Sequence, residues 1–256
     1  MMPRLFTPVG FGHGSTIRLE PAPAHHLVRV LRLGPGAALE VFDGQGQAAL
    51  GRLVSTDPCT VTVESLLAPD PSPPLRLSLA QCISAAEKMD WTIEKAVELG
   101  AAAIIPLQSQ KGIVRLTPER SMRRREHWQR LIVAAASQCG QNRLPHLHEV
   151  ANLTEWLRAQ SAPAPGELRL VLDPRAPQSL PGLLADRNAP ATGAEVQLLC
   201  GAESGFGELE WETACAAGWI AVTIGPRVLR TETAGLAALA AIQALWGDWG
   251  QGRARA

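Results

Sequence analysis

The chain has 256 residues, 46% of them hydrophobic, which is enough to bury a substantial core and too apolar for a disordered chain. Formal net charge is zero, with 24 basic and 24 acidic residues, so no whole-molecule field marks the protein for nucleic acid and any such affinity must be local. Five well-separated cysteines exclude a disulfide framework and a Cys-x-x-Cys metal site, and no apolar run reaches the roughly 18 residues of a membrane helix, so a soluble, unsecreted, cytoplasmic chain without metal is expected.

The first segments are short. Thr16 to Leu19, Ala38 to Phe42, Gln47 to Ser55 and Cys59 to Glu64 have strand character, with Asp43-Gly44-Gln45-Gly46 as a turn between two of them. One helix is predicted over His25 to Leu33, with Leu27, Val30 and Leu31 on its apolar face and Arg29 and Arg32 on another. Residues 1–68 therefore read as a small β-barrel. The stretch 69–74, Pro-Asp-Pro-Ser-Pro-Pro, can continue neither a helix nor a central strand and reads as a stiff linker.

Beyond it, over 75–250, strands and helices alternate as in an α/β domain with a parallel sheet, and 251–256 is a tail. Leu75 to Ile83 is a strand, and Ser84-x-x-Glu87 has the form of a capping box opening a helix with Met89, Ile93, Ala96 and Val97 inward and Gly100 at its end. Ala103 to Leu107 is the next strand. A second helix starts at Thr117 as N-cap with Pro118 behind it, and buries Trp128, Leu131, Ile132, Ala135 and Ala136. From Lys111 to Arg143 eight basic residues face two acidic ones, making this the candidate phosphate-facing segment. The apolar runs Leu168 to Leu172, Val196 to Cys200 and Trp219 to Ile224 are strands covered on both faces. Helices follow over Glu208 to Ala217 and, behind a Thr231 cap, Glu232 to Trp246.

Ligands of open α/β sheets bind beyond the carboxyl ends of the strands. Two glycine-bearing loops stand there, Cys200 to Gly207 and Ile224 to Gly235, the second running into the final helix. Neither completes a known nucleotide motif. Gly205-Phe206-Gly207 lacks the third glycine of a dinucleotide fingerprint, because its sixth position is Glu210, and Gly201-Ala202-Glu203-Ser204-Gly205 has Glu where a nucleophile elbow needs Ser. His146 and His148, like His25 and His26, have no nearby third ligand and read as solvated or hydrogen-bonded histidines.

A resemblance goes further than these patterns. The string IGPRVLRTETAGLAAL, Ile224 to Leu239, is similar to the C-terminal signature of the S-adenosylmethionine (SAM)-dependent 16S rRNA (uracil-N3)-methyltransferase family of the SPOUT superfamily. Glu87 to Trp91, Glu94 to Gly100 with Ile105-Pro106, Ala136 to Gly140 with Asn142, Arg143 and Pro145, and His26 to Arg32 with Asp43-Gly44 resemble further stretches of that family in the same order. The chain departs from it where Gly201-Ala202-Glu203-Ser204-Gly205 replaces Gly-Pro-Glu-Gly-Gly, at Ser137 in place of Glu, and at Gln141 in place of Arg.

The resemblance implies a PUA-like N-terminal barrel and a C-terminal SPOUT domain with a deep trefoil knot that holds SAM largely by backbone groups. The implied cofactor residues are Leu199, Cys200, Gly201, Glu203, Gly205, Ile224, Gly225, Val228, Leu229, Arg230, Thr231 and Ala234. It further implies a homodimer acting on 16S rRNA within the assembled small ribosomal subunit. Arg230 is the candidate for hydrogen-bonding a uracil carbonyl, and Glu232 is a candidate base whose alternative role is to favour the helix dipole. RNA contacts are expected from Arg4, Arg29, Arg32, Lys88, Arg115, Arg123, Arg124, Arg125, Gln138 and Arg143. With 4% aromatics and no Tyr, phosphate and shape recognition is favoured over base stacking. The rival readings are an RNA-binding relic without catalysis, an RNA methyltransferase with another target nucleotide, and an α/β enzyme for another nucleotide cofactor.

Overall fold

The computed structural model describes residues 2–250, so the expected tail at 251–256 lies outside the described residues. The chain forms two compact units. One comprises Met1–Pro71 together with Val133–Leu144, and the other Ser72–Ile132 together with Pro145–Ala256. Sequence reading expects a single cut in the proline-rich linker. The structure adds two further crossings, because a stretch from the middle of the chain packs with the first unit.

In the first unit, β1 (Arg4–Phe6), β2 (Thr16–Arg18), α1 (Pro21–His25), β3 (Ala38–Phe42), β4 (Ala48–Thr56) and β5 (Cys59–Leu66) follow in chain order. The sheet order is β1-β3-β4-β5-β2, with β1 parallel to β3 and the other pairs antiparallel. Alternation along the strands drives Leu39, Val41, Leu53, Val61 and Val63 into a core that Leu5, Ile17 and Leu27 complete. The predicted helix over His25 to Leu33 is corrected. A π-helical turn, His26–Val30, follows α1, and Leu31 N donates to His26 O at 2.9 Å. Bonding at i→i+5 rotates the i+3 and i+4 positions off the buried face, so Leu27 is buried while Val30 and Leu31 are exposed. Arg32, at φ +54°, ends the segment.

The Asp43 to Gly46 turn is built as its sequence demands. Gly44 and Gly46 take positive φ, and Asp43 Oδ1 accepts from Gln45 N and Gln47 N at 2.7 and 3.0 Å. Residues 142–144 lie against it, with Gly46 N donating to Asn142 O and Leu144 N to Gly44 O.

The second unit runs β6 (Leu75–Cys82), α2 (Ala86–Glu98), β7 (Ala103–Gln108), α3 (Pro118–Cys139, whose last turns belong to the first unit), β8 (His146–Leu147), β9 (Ala151–Asn152), α4 (Leu153–Arg158), β10 (Leu168–Leu172), α5 (Leu180–Ala185), β11 (Ala194–Cys200), α6 (Glu208–Ala216), β12 (Ile220–Val222) and α7 (Thr231–Leu245). The sheet is parallel throughout, in the order β12-β10-β11-β6-β7-β8, with β9 also on β7. Both faces are covered. On one, Ala80, Cys82, Leu107, Val171 and Leu199 pack with Leu153 and Leu157 of α4 and Ala214 of α6. On the other, α7 packs against α2, α5, β6 and β11.

Helix starts show where local patterns hold. Thr117 Oγ1 accepts from Arg120 N at 3.4 Å ahead of Pro118, as expected of an N-cap. The capping box at Ser84 does not form. Ser84 is still buried in the exit from β6, its hydroxyl without a hydrogen-bond partner, and Ala85 takes the N-cap position of α2. Nor is Thr231 a cap. Arg230 occupies that position in extended conformation and Thr231 is the first residue of α7.

Candidate functional site

The strand order creates the site. Strand β10 is flanked by β11 on one side and β12 on the other, so the chain reverses its winding there. At such a switch point the loops leaving adjacent strands diverge and open a crevice. A cavity of about 720 Å³ lies there, lined by Leu172 to Arg175 after β10, Cys200 to Glu208 after β11 and Val222 to Ile224 with Arg227 to Thr231 after β12, together with Lys111, Trp211 and Ala234. This is a volume suited to a ligand of nucleoside size.

Buried hydrogen bonds brace the loops. Thr231 Oγ1 donates to Gly201 O at 2.5 Å and accepts from Gln81 Nε2 at 3.0 Å, while the Cys200 thiol donates to Thr231 O at 3.3 Å. One threonine thereby ties β6, the Gly201 loop and α7 together. Gly235 lets α7 come this close, since a Cβ there would stand 3.0 Å from Leu79 Cδ1 and 3.2 Å from Gln81 Oε1. Ala202 to Gly205 closes a tight turn in which Gly205 N donates to Ala202 O at 2.8 Å. Gly205, at φ +72°, is the residue of that turn that needs a left-handed backbone, and Ser204 does not. Gly205 and Gly225 have no atoms within 4 Å of where a Cβ would stand.

Electrostatics separates the polar residues. Lys88 Nζ lies 3.2 Å from Glu232 Oε1 and 3.9 Å from Glu203 Oε1, so one cation joins the Gly201 loop to the first turn of α7. Burial raises the Asp173 carboxyl, but hydrogen bonds and charge from Arg175 outweigh it and hold the group below the ordinary carboxylate range. Burial pushes the Cys200 thiol up, more than its hydrogen bond to Thr231 and other hydrogen bonds lower it, so it serves as a neutral donor. Adenine and ribose groups would find Leu172, Val222, Ile224, Val228, Leu229 and Phe206 as apolar walls and loop backbone groups as polar partners, which fits a nucleoside held by shape and main chain.

Most of the residues predicted to form the cofactor site come together. Cys200, Gly201, Glu203, Gly205, Ile224, Val228, Leu229, Arg230, Thr231 and Ala234 line the cavity. Leu199 and Gly225 do not; Leu199 points into the core beneath it, at zero exposure. Glu232 is absent from the lining; its Oε1 lies 3.2 Å from Lys88 Nζ, while its buried Oε2 has no hydrogen-bond partner. Sequence reasoning missed Asp173, Pro174 and Arg175, although the strand before them was read and the rule of carboxyl-end loops points to them. It also missed Glu210, whose partners at Ser109 and Gln110 lie about one hundred positions away.

The basic candidates divide. Arg4 does not face outward. Its guanidinium pairs with Glu40 at 2.8 Å, donates to Ala136 O at 3.0 Å and to Asn142 Oδ1, and sits over the Phe42 ring. Arg143 is likewise turned inward, donating to Gln45 O and Asp70 O and covering Gly46. Both hold the first unit together, which corrects their assignment to RNA. Lys88 is spoken for by Glu232 and Glu203. Arg29, Arg32, Arg115, Arg123, Arg125 and Gln138 are exposed and Arg124 is half-buried, while Arg115 also donates to the loop carbonyls of Ser109 and Gln110 and Arg125 to Leu147 O of β8. Among the described residues, His146 and His148 stack edge to face and no group of three or more His, Cys, Asp or Glu side chains is placed to hold a metal ion. No helix among them is long and apolar enough to cross a membrane.

A family model described as "RNA methyltransferase domain" matches residues 71–243, and one described as "RNA methyltransferase PUA domain" matches residues 20–64. The ribosomal RNA small subunit methyltransferase E of Buchnera aphidicola (from Schizaphis graminum) is 29% identical over 96% of this chain and 98% of its own length. The crystal structure of a ribosomal RNA small subunit methyltransferase E from Neisseria gonorrhoeae, bound to S-adenosyl methionine, is 35% identical and superposes with a TM-score of 0.85 over 97% of this chain and all of that one. A structure from Legionella pneumophila with the cofactor SAM bound superposes with a TM-score of 0.87 at 30% identity, over 97% and 99% of the two chains.

Proposed function

The chain belongs to the ribosomal RNA small subunit methyltransferase E family, and from that premise we propose that it transfers a methyl group from SAM to N3 of one uridine in 16S rRNA. The observation that carries this reading is the cavity of about 720 Å³ at the switch point, where three loops present main-chain groups and apolar walls. SAM supplies there a methyl group made electrophilic by its sulfonium. The named loops hold the donor, and the knot implied by the resemblance is supported by the path of α7, which leaves the edge strand β12 yet packs on β11 and β6.

The chain's own work is alignment and charge. Loss of the N3 proton to solvent leaves negative charge on the uracil carbonyls, and among the cations lining the cavity we assign Arg230, which is exposed there, to stabilise it. Thr231 and Lys88 fix the loops, so that little motion remains to be frozen when the acceptor arrives. RNA is brought by the exposed cations of α3 and its preceding loop, with Arg29 and Arg32 of the first unit. A homodimer is supported by the exposed apolar side chains of Leu245 at the end of α7 and Trp249 just beyond it, which a monomer would leave in water. Such a pairing would let the N-terminal unit of one subunit present RNA to the cavity of the other. A cytoplasmic protein working on the assembled small subunit follows from this reading.

Purified protein, SAM labelled in its methyl group, and either free 16S rRNA or small subunits from cells lacking the protein provide the test. We expect label at N3 of a single uridine, transfer to assembled subunits, and loss of turnover in Arg230→Ala with SAM binding retained. Label at another nucleotide, or unchanged turnover in Arg230→Ala, would overturn the substrate or the catalytic assignment respectively.

A further inference from the structure

Glu210 is a fully buried carboxylate that the chemistry above does not use. It occupies the first turn of α6, where its charge is favoured by the helix dipole. Its Oε2 accepts from Gly207 N at 2.6 Å and from Ser109 Oγ at 3.1 Å, and its Oε1 accepts from Gln110 N at 2.6 Å. Gly207 closes the loop that lines the cavity. Ser109 and Gln110 open the loop that leads into the basic segment. That loop is folded about the same residues: Lys111 N donates to Ser109 Oγ, and the Arg115 guanidinium donates to the carbonyls of Ser109 and Gln110. One buried charge thus holds the cofactor loop and the root of a cationic loop in a single hydrogen-bonded unit.

We propose that Glu210 is a positioning residue that couples occupancy of the cavity to the presentation of Lys111 and Arg115 to RNA phosphate. The proposal rests on the reading of the cavity as a SAM site and of this segment as RNA-facing. Coupling through a shared brace is reciprocal, so SAM tightens RNA binding by the factor by which RNA tightens SAM binding.

The experiment measures binding of a 16S rRNA transcript across a salt series, with and without SAM, in the wild-type chain, Glu210→Gln and Ser109→Ala, with amide hydrogen exchange on each. In the wild type we expect SAM to strengthen RNA binding on the order of fivefold or more. Glu210→Gln abolishes that gain, speeds exchange at Gln110 and Gly207, and flattens the salt dependence by roughly one to two phosphate contacts' worth. Ser109→Ala, which keeps the bonds to Gly207 and Gln110, shows the same changes at smaller size and serves should Glu210→Gln fail to fold. An unchanged salt slope in a folded Glu210→Gln, or in Ser109→Ala if that variant must stand in, overturns the proposal even if SAM affinity falls. A wild-type chain that binds SAM and RNA without mutual effect overturns the coupling alone. One that binds neither overturns the functional reading together with it.

Discussion

A single hydroxyl at Thr231 satisfies Gly201 O and Gln81 Nε2 in a site from which water is excluded. Thr231→Val keeps the volume, takes the hydroxyl donor from Gly201 O and leaves Gln81 Nε2 with its bond to Cys82 O alone, so unfolding in urea should show a loss of about 1–3 kcal/mol, with weaker SAM binding by calorimetry; an unchanged midpoint would show that the lost bonds are replaced. The sequence marks this threonine as important and misreads why, because its spacing before α7 is that of a cap while its partners come from β6 and β11. Ser204 shows the opposite case. It departs from the family's glycine, and the backbone explains the tolerance, since the left-handed residue of that turn is Gly205. The His148 side chain is largely exposed, and partial desolvation with the neighbouring His146 and Arg125 lowers its imidazole below the ordinary value of 6.5, against Glu195, which raises it. The unfolded chain then takes up the proton first, so this group's contribution is present above pH 6.5 and is lost as pH falls through the lowered value. Stability measured from pH 7.5 to 5 should fall less steeply in His148→Gln; parallel curves would dismiss the histidine as a source of the slope.

At the level of elements, the long apolar runs were legible because both faces of a parallel sheet are covered, and β6, β10 and β11 lie where continuous Leu and Val runs place them. Short elements were not. Strands β8 and β9 have two residues each, and the π-helical turn after α1 keeps a helical composition while changing its period. Helix α7 carries the clearest test at this scale. Gly235→Ala should gain roughly 1 kcal/mol of helix propensity and lose about 1–3 kcal/mol by crowding Leu79 and Gln81. Because Leu79 is fully buried, the crowding wins and the urea midpoint falls; a raised midpoint would mean that Leu79 yields without cost.

Over the whole molecule, a net charge of zero hides a segment with six basic residues in excess, and recognition of RNA must therefore depend on where the charges sit. The triple substitution Arg120→Ala, Arg123→Ala, Arg130→Ala, at exposed positions of α3, should weaken binding to any RNA sequence alike and lower the salt slope by roughly 0.7–0.9 per lost phosphate contact. Loss of affinity for one sequence alone, with the slope kept, would assign these residues to base readout. What the sequence could not disclose at this scale is which basic residues are spent on folding: Arg4 and Arg143 look like phosphate ligands in a string of letters and are held by Glu40, Asn142, Gln45 and Asp70 in space.

That use of Arg4 sets a timetable for synthesis. The first unit needs Val133–Leu144 to be whole, so its N-terminal strand must leave the ribosome and wait until more than half of the chain has been translated. At roughly 5–20 residues per second, the delay between completing the linker and supplying Asn142 is several seconds, during which Arg4 has Glu40 and the Phe42 ring but not Ala136 and Asn142. Nascent chains arrested so that residue 71 has just cleared the exit tunnel should therefore be protease-sensitive in their first seventy residues, and those arrested with residue 144 clear should be resistant. Resistance already at the shorter length would show that the five-stranded sheet stands without its late-arriving support.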